Sequence, residues 1–387
     1  MKEGYRLLGD FIQPVDERNR DLKVDYLLGV SISKQFIPSI ANIVGTDLSS
    51  YKIVRTGQFA YGPVTSRNGE KISIALLRDK DCIISSSYTV FEVVNKNALD
   101  PEYLMLWFSR PEFDRYARYM SHGSVREIFD WDELCKVELP VPSIDKQRSI
   151  VKAYQTITER IELKRRINDN LEATAMTLFK SWFVDFEPFD CDKRGVPFNW
   201  QLTTLESRVS TSTQSINPQK IATSKVWHYS IPAFDSERLP CLDTAKDILS
   251  NKYLVPADAI LVSKLNPETK RIWRTLRCFN DAICSTEFIV FNSLNKKHRA
   301  FYYLLFNTNQ FIDFLVSNAT GSTNSRMRVK PASSLDFEFI VPPDNVLDRF
   351  CSEVEPLLSE IDNNLLETRK LSSLIPVAVA KMMSSSR

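Results

Sequence analysis

The sequence predicts a mixed α/β (α+β) chain of two related globular domains and two long helices, in the order domain, helix, domain, helix. Three observations predict it. The chain matches itself at an offset of about 200 residues, a stretch of 3-4 apolar spacing follows each copy, and short β-branched and aromatic runs fill each copy. Ile83, Ser85, Val90 and Phe91 fall on Ile283, Ser285, Val290 and Phe291. With a small slip, Leu106, Phe108, Phe113, Gly123 and Ser124 fall on Leu304, Phe306, Phe311, Gly321 and Ser322. Glu138, Val141 and Pro142 then fall on Glu338, Val341 and Pro342. The shared order and nearly constant offset place the domains at 1–142 and 188–342 and the helices at 143–187 and 343–387.

Each helix is read from its apolar seam. Ile150, Tyr154, Ile157, Ile161, Leu171, Ala175, Leu178 and Trp182 follow the first domain at steps of three and four. Phe350, Val354, Leu357, Ile361, Leu371, Ile375, Ala378 and Met382 follow the second. Both seams are interrupted by polar residues at the same slots, Lys164 and Asn168 in one and Asn364 and Thr368 in the other. Such residues cost stability and fix register and partner. The expected arrangement is an antiparallel coiled coil that relates the domains by a pseudo-two-fold axis. Pro356 and Pro376 are expected to kink the second helix or start new segments. Within the domains, strands are expected at Cys82–Val94 and Ala282–Phe291, and short amphipathic helices over Pro101–Met120 and Lys297–Val316.

Composition excludes more than it assigns. A chain of 387 residues with 43% apolar and 25% charged residues buries a full core, and 50 basic against 48 acidic groups leave a net charge of only +2. Seven scattered cysteines form no C-x-x-C pair, which argues against a zinc site or a disulfide framework. No apolar run approaches the ~18 residues of a membrane span, and the first residues carry no apolar signal core, so a cytoplasmic protein is expected. There is no glycine-rich nucleotide loop, and the one Pro-Pro pair, Pro342-Pro343, is followed by Asp344, whereas an adenine methyltransferase motif puts Asn or Asp before the prolines. Three histidines lack metal-ligand spacing. No catalytic residue, metal or cofactor is expected.

What remains is a binding signature in loops. In the first domain Arg55, Gln58, Tyr61, Thr65, Ser66, Arg67, Asn68 and Lys71 share one run. The equivalent run of the second domain carries Lys264, Asn266, Lys270, Arg271, Arg274 and Arg277. A second pair of polar loops holds Ser124 and Arg126, and Ser322, Asn324, Arg326 and Arg328. Arg, Lys, Asn and Gln read base edges in the major groove, while Lys, Arg, Ser and Thr grip phosphates. Basic polar loops at matched places in both copies point to double-stranded DNA.

The segment LFKSWFVDFEPF (Leu178–Phe189), followed by GVPFNW (Gly195–Trp200), resembles the central conserved region of the specificity subunits of type I restriction-modification systems. VELPVPSIDKQRSIV (Val137–Val151) and FEFIVPPDNVLDRF (Phe337–Phe350) are similar to the junctions where that family's target recognition domains enter their conserved helices. The resemblance implies an asymmetric bipartite DNA target, one half per target recognition domain, with the helices setting the gap. It also implies docking of two methyltransferase (modification) subunits and of restriction subunits that translocate and cut. Trp182, Phe183 and Phe186 are expected to supply docking surface. A non-catalytic interaction scaffold and the recognition part of a fused restriction–methylation enzyme stand as alternatives.

Overall fold

A computed structural model describes residues 4–39, 45–66, 69, 71–123, 126–276, 278–279, 281–321 and 326–384, side chains of 378–384 excepted. The chain divides into two compact units, residues 1–160 with 372–387 and residues 161–371.

Each unit is built on an antiparallel sheet of the same strand order. In the first, Ile12–Val15 pairs with Thr89–Val93, which pairs with Phe59–Tyr61, which pairs with Ile74–Leu76. In the second the sequence is Val209–Ser212, Phe288–Ser293, Ile260–Ser263, Ile272–Arg274. Two strands of each sheet are covered on both faces, which is why FAY, IAL, ILVS and IWR are buried at every position and show no polar alternation. The run expected as one strand at Cys82–Val94 is two strands, Cys82–Ile84 and Thr89–Val93, and the second copy divides likewise into Ala282–Cys284 and Phe288–Ser293.

Each expected helical run also divides in two. Asp100 caps Pro101–Phe108 by accepting from the N–H groups of Glu102 and Tyr103, and Pro111 starts Pro111–Tyr119. In the second unit Arg299–Phe306 is followed by Asn309–Ser317, capped by Thr308 accepting from the Phe311 N–H. Their apolar faces meet the sheets through aromatic rings: Phe108 stands edge-on to Phe59 at 5.8 Å, and Phe306 lies 4.6 Å from Phe291. The repeat is least faithful at the flanking sheet. Lys52–Val54 and Cys82–Ile84 form a simple pair, whereas the second unit carries five strands, including Lys225–Tyr229 parallel to Ala282–Cys284.

A short pairing closes each unit before its long helix. Tyr5–Leu7 pairs with Glu138–Pro140, and Gln201–Thr204 with Glu338–Val341. The long helices are Ile144–Phe183 and Asp344–Ser384, each spanning about 60 Å at 1.5 Å per residue. The second is not split into segments at Pro356 or Pro376, although each proline removes one backbone donor.

Within the second unit the two helices run antiparallel: Lys164 and Asn168 meet Asn364, while Phe179 and Phe183 meet Phe350 at ring distances of 6.1 and 4.6 Å. The polar interruptions of the seams therefore face each other. Lys164 Nζ donates to Asn364 Oδ1 at 2.7 Å, and Asn364 Nδ2 donates to Asn168 Oδ1 at 2.9 Å. Glu367, beside the expected Thr368, takes the Lys164 ammonium at 2.6 Å. Asn364 is 1% exposed, so its amide depends on these partners.

The expectation that Trp182 and Phe183 dock partner subunits is corrected here. Both are buried in the core of the second unit, packed on Phe301, Phe350 and Trp200, and Phe186 lies half-buried 5.4 Å from Trp200. Their apolar surface is already used. Among the described residues, no helix is long and apolar enough to cross a membrane and no cluster is suited to a metal ion.

Asn364→Ala is expected to destabilise the chain by about 1–3 kcal/mol, because it leaves Lys164 and Asn168 without their buried partner. Adding Lys164→Met and Asn168→Leu is expected to recover much of the loss. Thermal unfolding of the purified variants measures both.

Candidate nucleic-acid interface

The two loops that the sequence presents separately in each domain are one hydrogen-bonded feature. In the first unit the chain leaving Phe59–Tyr61 brings Val64 against Ile128, and the Thr65 N–H donates to the Glu127 carbonyl at 3.0 Å. His122 and Ile128 exchange backbone bonds of 3.0 and 2.9 Å beside that bridge. In the second unit Leu265 bridges Arg328, and the Asn266 N–H donates to the Met327 carbonyl at 2.8 Å. Thr320 and Arg328 exchange two backbone bonds of 2.9 Å. The same neck thus recurs in both copies. Asn266 takes the left-handed conformation there, with φ +48°, as Asn tolerates better than most residues.

The necks sort the expected contact residues. Ser66, Lys71 and Arg126 are exposed in the first unit, and Lys270, Arg326 and Arg328 in the second; Lys264 is half-buried. Two of these cations already have partners: Lys270 Nζ donates to Asn309 Oδ1 at 2.7 Å, and Arg328 holds Glu287 through two bonds of 3.0 and 3.2 Å. Arg67, Asn68, Ser124, Arg277, Ser322 and Asn324 lie outside the described residues.

Several expectations are corrected. Tyr61 is fully buried against Phe91 and Phe129, and burial pushes its phenol well above its ordinary range, so it belongs to the core. Gln58 is buried and spends its amide on the Arg55 N–H at 2.8 Å and on Glu92 at 3.0 Å. Thr65 is buried, with its hydroxyl donating to Ser121 Oγ at 2.8 Å, and acts in the neck. Arg55 is clamped between Glu17 and Asp81, which stabilise its charged form. Arg271 forks to Asp235 at 2.7 and 3.0 Å.

The largest correction concerns Arg274. It is 6% exposed and joins its strand to the second long helix, pairing with Glu355 at 2.7 Å and with Asp362. Burial pushes the Asp362 carboxyl up to about 6, against the opposing pull of Arg274 and Arg299. Arg299 beside it donates to the Ala259 carbonyl at 3.1 Å. This is a structural ion cluster, out of reach of a duplex. Its carboxylates stand more than eighty residues along the chain from Arg274, so local sequence reads Arg274 as a free loop cation.

The structure also adds residues that the loop reading missed. Lys71 shares a concavity of about 430 Å³ with Lys34, Arg115, Ser33, Ser109 and Tyr154. Lys34 pairs with Asp114 at 2.6 Å, and burial draws its ammonium below its usual range. A second concavity, sharing Ile32 with the first, is lined by Gly62, Val64, Ser73, Tyr88 and Arg126. The first unit therefore offers polar hollows beside its neck, with Lys71, Arg115 and Arg126 lining them.

Residues 39–173 match the model of a family described as the type I restriction modification DNA specificity domain. This stretch of the chain is similar to a type I specificity domain. Its relatives agree: the specificity subunit of the type I restriction enzyme MjaIX from Methanocaldococcus jannaschii is 26% identical over 319 residues, covering 75% of this chain and 70% of that protein. The HindI specificity subunit from Haemophilus influenzae is 26% identical over 188 residues, 47% of this chain and 40% of that protein. The crystal structure of a type I restriction-modification system S subunit from M. genitalium shares the fold, with a TM-score of 0.58 at 13% identity over 99% of this chain and 96% of that one. The type I specificity fold therefore accounts for the two sheet units and the long helices together.

Arg274→Ala is expected to cost about 3–5 kcal/mol of stability by stranding Asp362 and Glu355. Lys71→Ala and Arg126→Ala should stay within about 0.5 kcal/mol of the parent, as exposed sites do. Denaturant unfolding curves distinguish the two classes.

Proposed function

We propose that this chain is the non-catalytic DNA-specificity subunit of a type I restriction-modification complex, each unit reading one half of an asymmetric bipartite target. The observation that carries this reading is the matched neck in both units, each with an exposed arginine beside it, Arg126 or Arg326, on a chain whose residues 39–173 match a type I specificity domain. An arginine beside a hydrogen-bonded neck presents a planar fork suited to guanine O6 and N7, while the neighbouring Lys71, Ser66, Lys264 and Lys270 suit phosphates. Two necks with unlike tips predict two unlike half-sites, and a long paired-helix spacer makes the gap between them part of the specificity.

Two methyltransferase subunits, and restriction subunits beyond them, are the proposed partners, and methyl transfer and cleavage belong to those subunits. With Trp182 and Phe183 in the core, the docking surface falls to the exposed apolar residues of the same segment, Val184, Phe198 and Leu202, which are 51%, 62% and 67% exposed. A cytoplasmic complex acting on the host's duplex DNA fits this reading.

The test is titration of the chain, purified with its methyltransferase partner, onto duplex DNA at rising salt. Affinity should fall linearly in log–log form, and each phosphate-gripping lysine changed to Ala, beginning with Lys71 and Lys270, should reduce the slope by about one. Binding that ignores salt and these variants favours the interaction scaffold instead.

A further inference from the structure

The necks differ from ordinary loop bases in one respect that both units share. A Cβ built on Gly123 meets the Arg126 carbonyl oxygen at 2.2 Å, and one built on Gly321 meets the Arg326 carbonyl oxygen at 2.6 Å. These are backbone atoms, so no rotamer change relieves the overlap. Gly123 also sits at φ +136°, a region that side chains disfavour. The contrast with Gly29 in the same unit is plain, since a Cβ there meets only the Tyr88 hydroxyl at an ordinary 3.7 Å.

The carbonyl that crowds each glycine belongs to the exposed arginine of its loop, and the next residue accepts the bond from the first loop. The Arg126 carbonyl lies over Gly123 while the Glu127 carbonyl takes the Thr65 N–H at 3.0 Å. The Arg326 carbonyl lies over Gly321 while the Met327 carbonyl takes the Asn266 N–H at 2.8 Å. The loops differ in length, 123–127 against 321–327, and in sequence, yet each ends by folding its arginine backbone onto the glycine that opens it. Gly123 and Gly321 are also the glycines that align in the internal repeat.

We propose that Gly123 and Gly321 are positioning residues for base reading: each seats the arginine after it, Arg126 or Arg326, and thereby sets the specificity of its own half-site. This rests on the DNA-specificity reading above. The glycine touches no DNA. It lets the arginine backbone close on the neck, so the guanidinium leaves from a fixed point. A methyl group at either glycine pushes the arginine carbonyl outward and displaces one fork from its base, while the other unit keeps its geometry.

The experiment uses the full complex, co-expressed with its methyltransferase subunits, and maps methylated motifs in host DNA for the parent chain, Gly123→Ala, Gly321→Ala and Gly29→Ala. The parent motif, present with this chain and absent without it, establishes the DNA-specificity reading independently of the glycines. Gly123→Ala is expected to relax discrimination about tenfold at bases of one half only, and Gly321→Ala at bases of the other half only, with Gly29→Ala matching the parent. A role confined to stability would lower methylation across all sites and leave both halves of the motif intact, and that result overturns the proposal. Melting temperature and co-purification of the methyltransferase are read alongside. Should Gly123→Ala fail to assemble, Arg126→Ala, which keeps the neck and removes the fork, must relax the same single half; an unchanged motif in that variant also overturns the proposal.

Discussion

The polar layer between the long helices is the constraint on which the second unit depends. An antiparallel pair of apolar seams slides readily by a turn, because one Leu or Ile resembles the next. Lys164, Asn168 and Asn364 remove that freedom, since any other register buries an amide and an ammonium without partners. Once that register is set, Phe350 arrives opposite Phe179 and Phe183, and the second unit closes its core around both helices. The buried pairing of Arg274 with Glu355 and Asp362 ties the sheet to the same helix. His298, 2% exposed, adds a contact to Asp348 at 3.0 Å.

The same logic divides the basic residues into two populations. Those whose side chains find a carboxylate within the fold, Arg55, Arg271 and Arg274 among them, organise loops and helices and have little left for a ligand. Arg126 and Arg326, exposed beside the necks, have no carboxylate partner among the described residues. Net charge hides this division entirely, because paired and free cations count alike. Pairing, more than position along the chain, separates scaffold from candidate contact.

Much of the fold was legible in the sequence for a physical reason: repeats and helical periodicity are local or nearly constant in offset. The long helices and the polar slots follow from spacing alone. Thr368 was read one residue away from Glu367, the group that takes the lysine charge, because seam position says which face a residue occupies and not how far its side chain reaches. Burial was the weakest inference. Tyr61 and Gln58 belong to a run rich in polar residues, yet both are buried, Tyr61 in a strand covered on both faces and Gln58 just before it. Trp182 and Phe183 read as sticky surface because the core that receives them, Trp200, Phe301 and Phe350, is spread over more than a hundred residues of chain. Lys34 and Arg115 were missed since the fold alone brings them beside Lys71.

The central claim is that the chain itself chooses the DNA sequence. Motif mapping of methylated host DNA, with the chain present, deleted, and replaced by a version whose first unit comes from a different specificity subunit, tests it most directly. The account predicts one split asymmetric motif that disappears on deletion and changes in only one half on replacement. A motif that persists without the chain, or that changes in neither half, would contradict it.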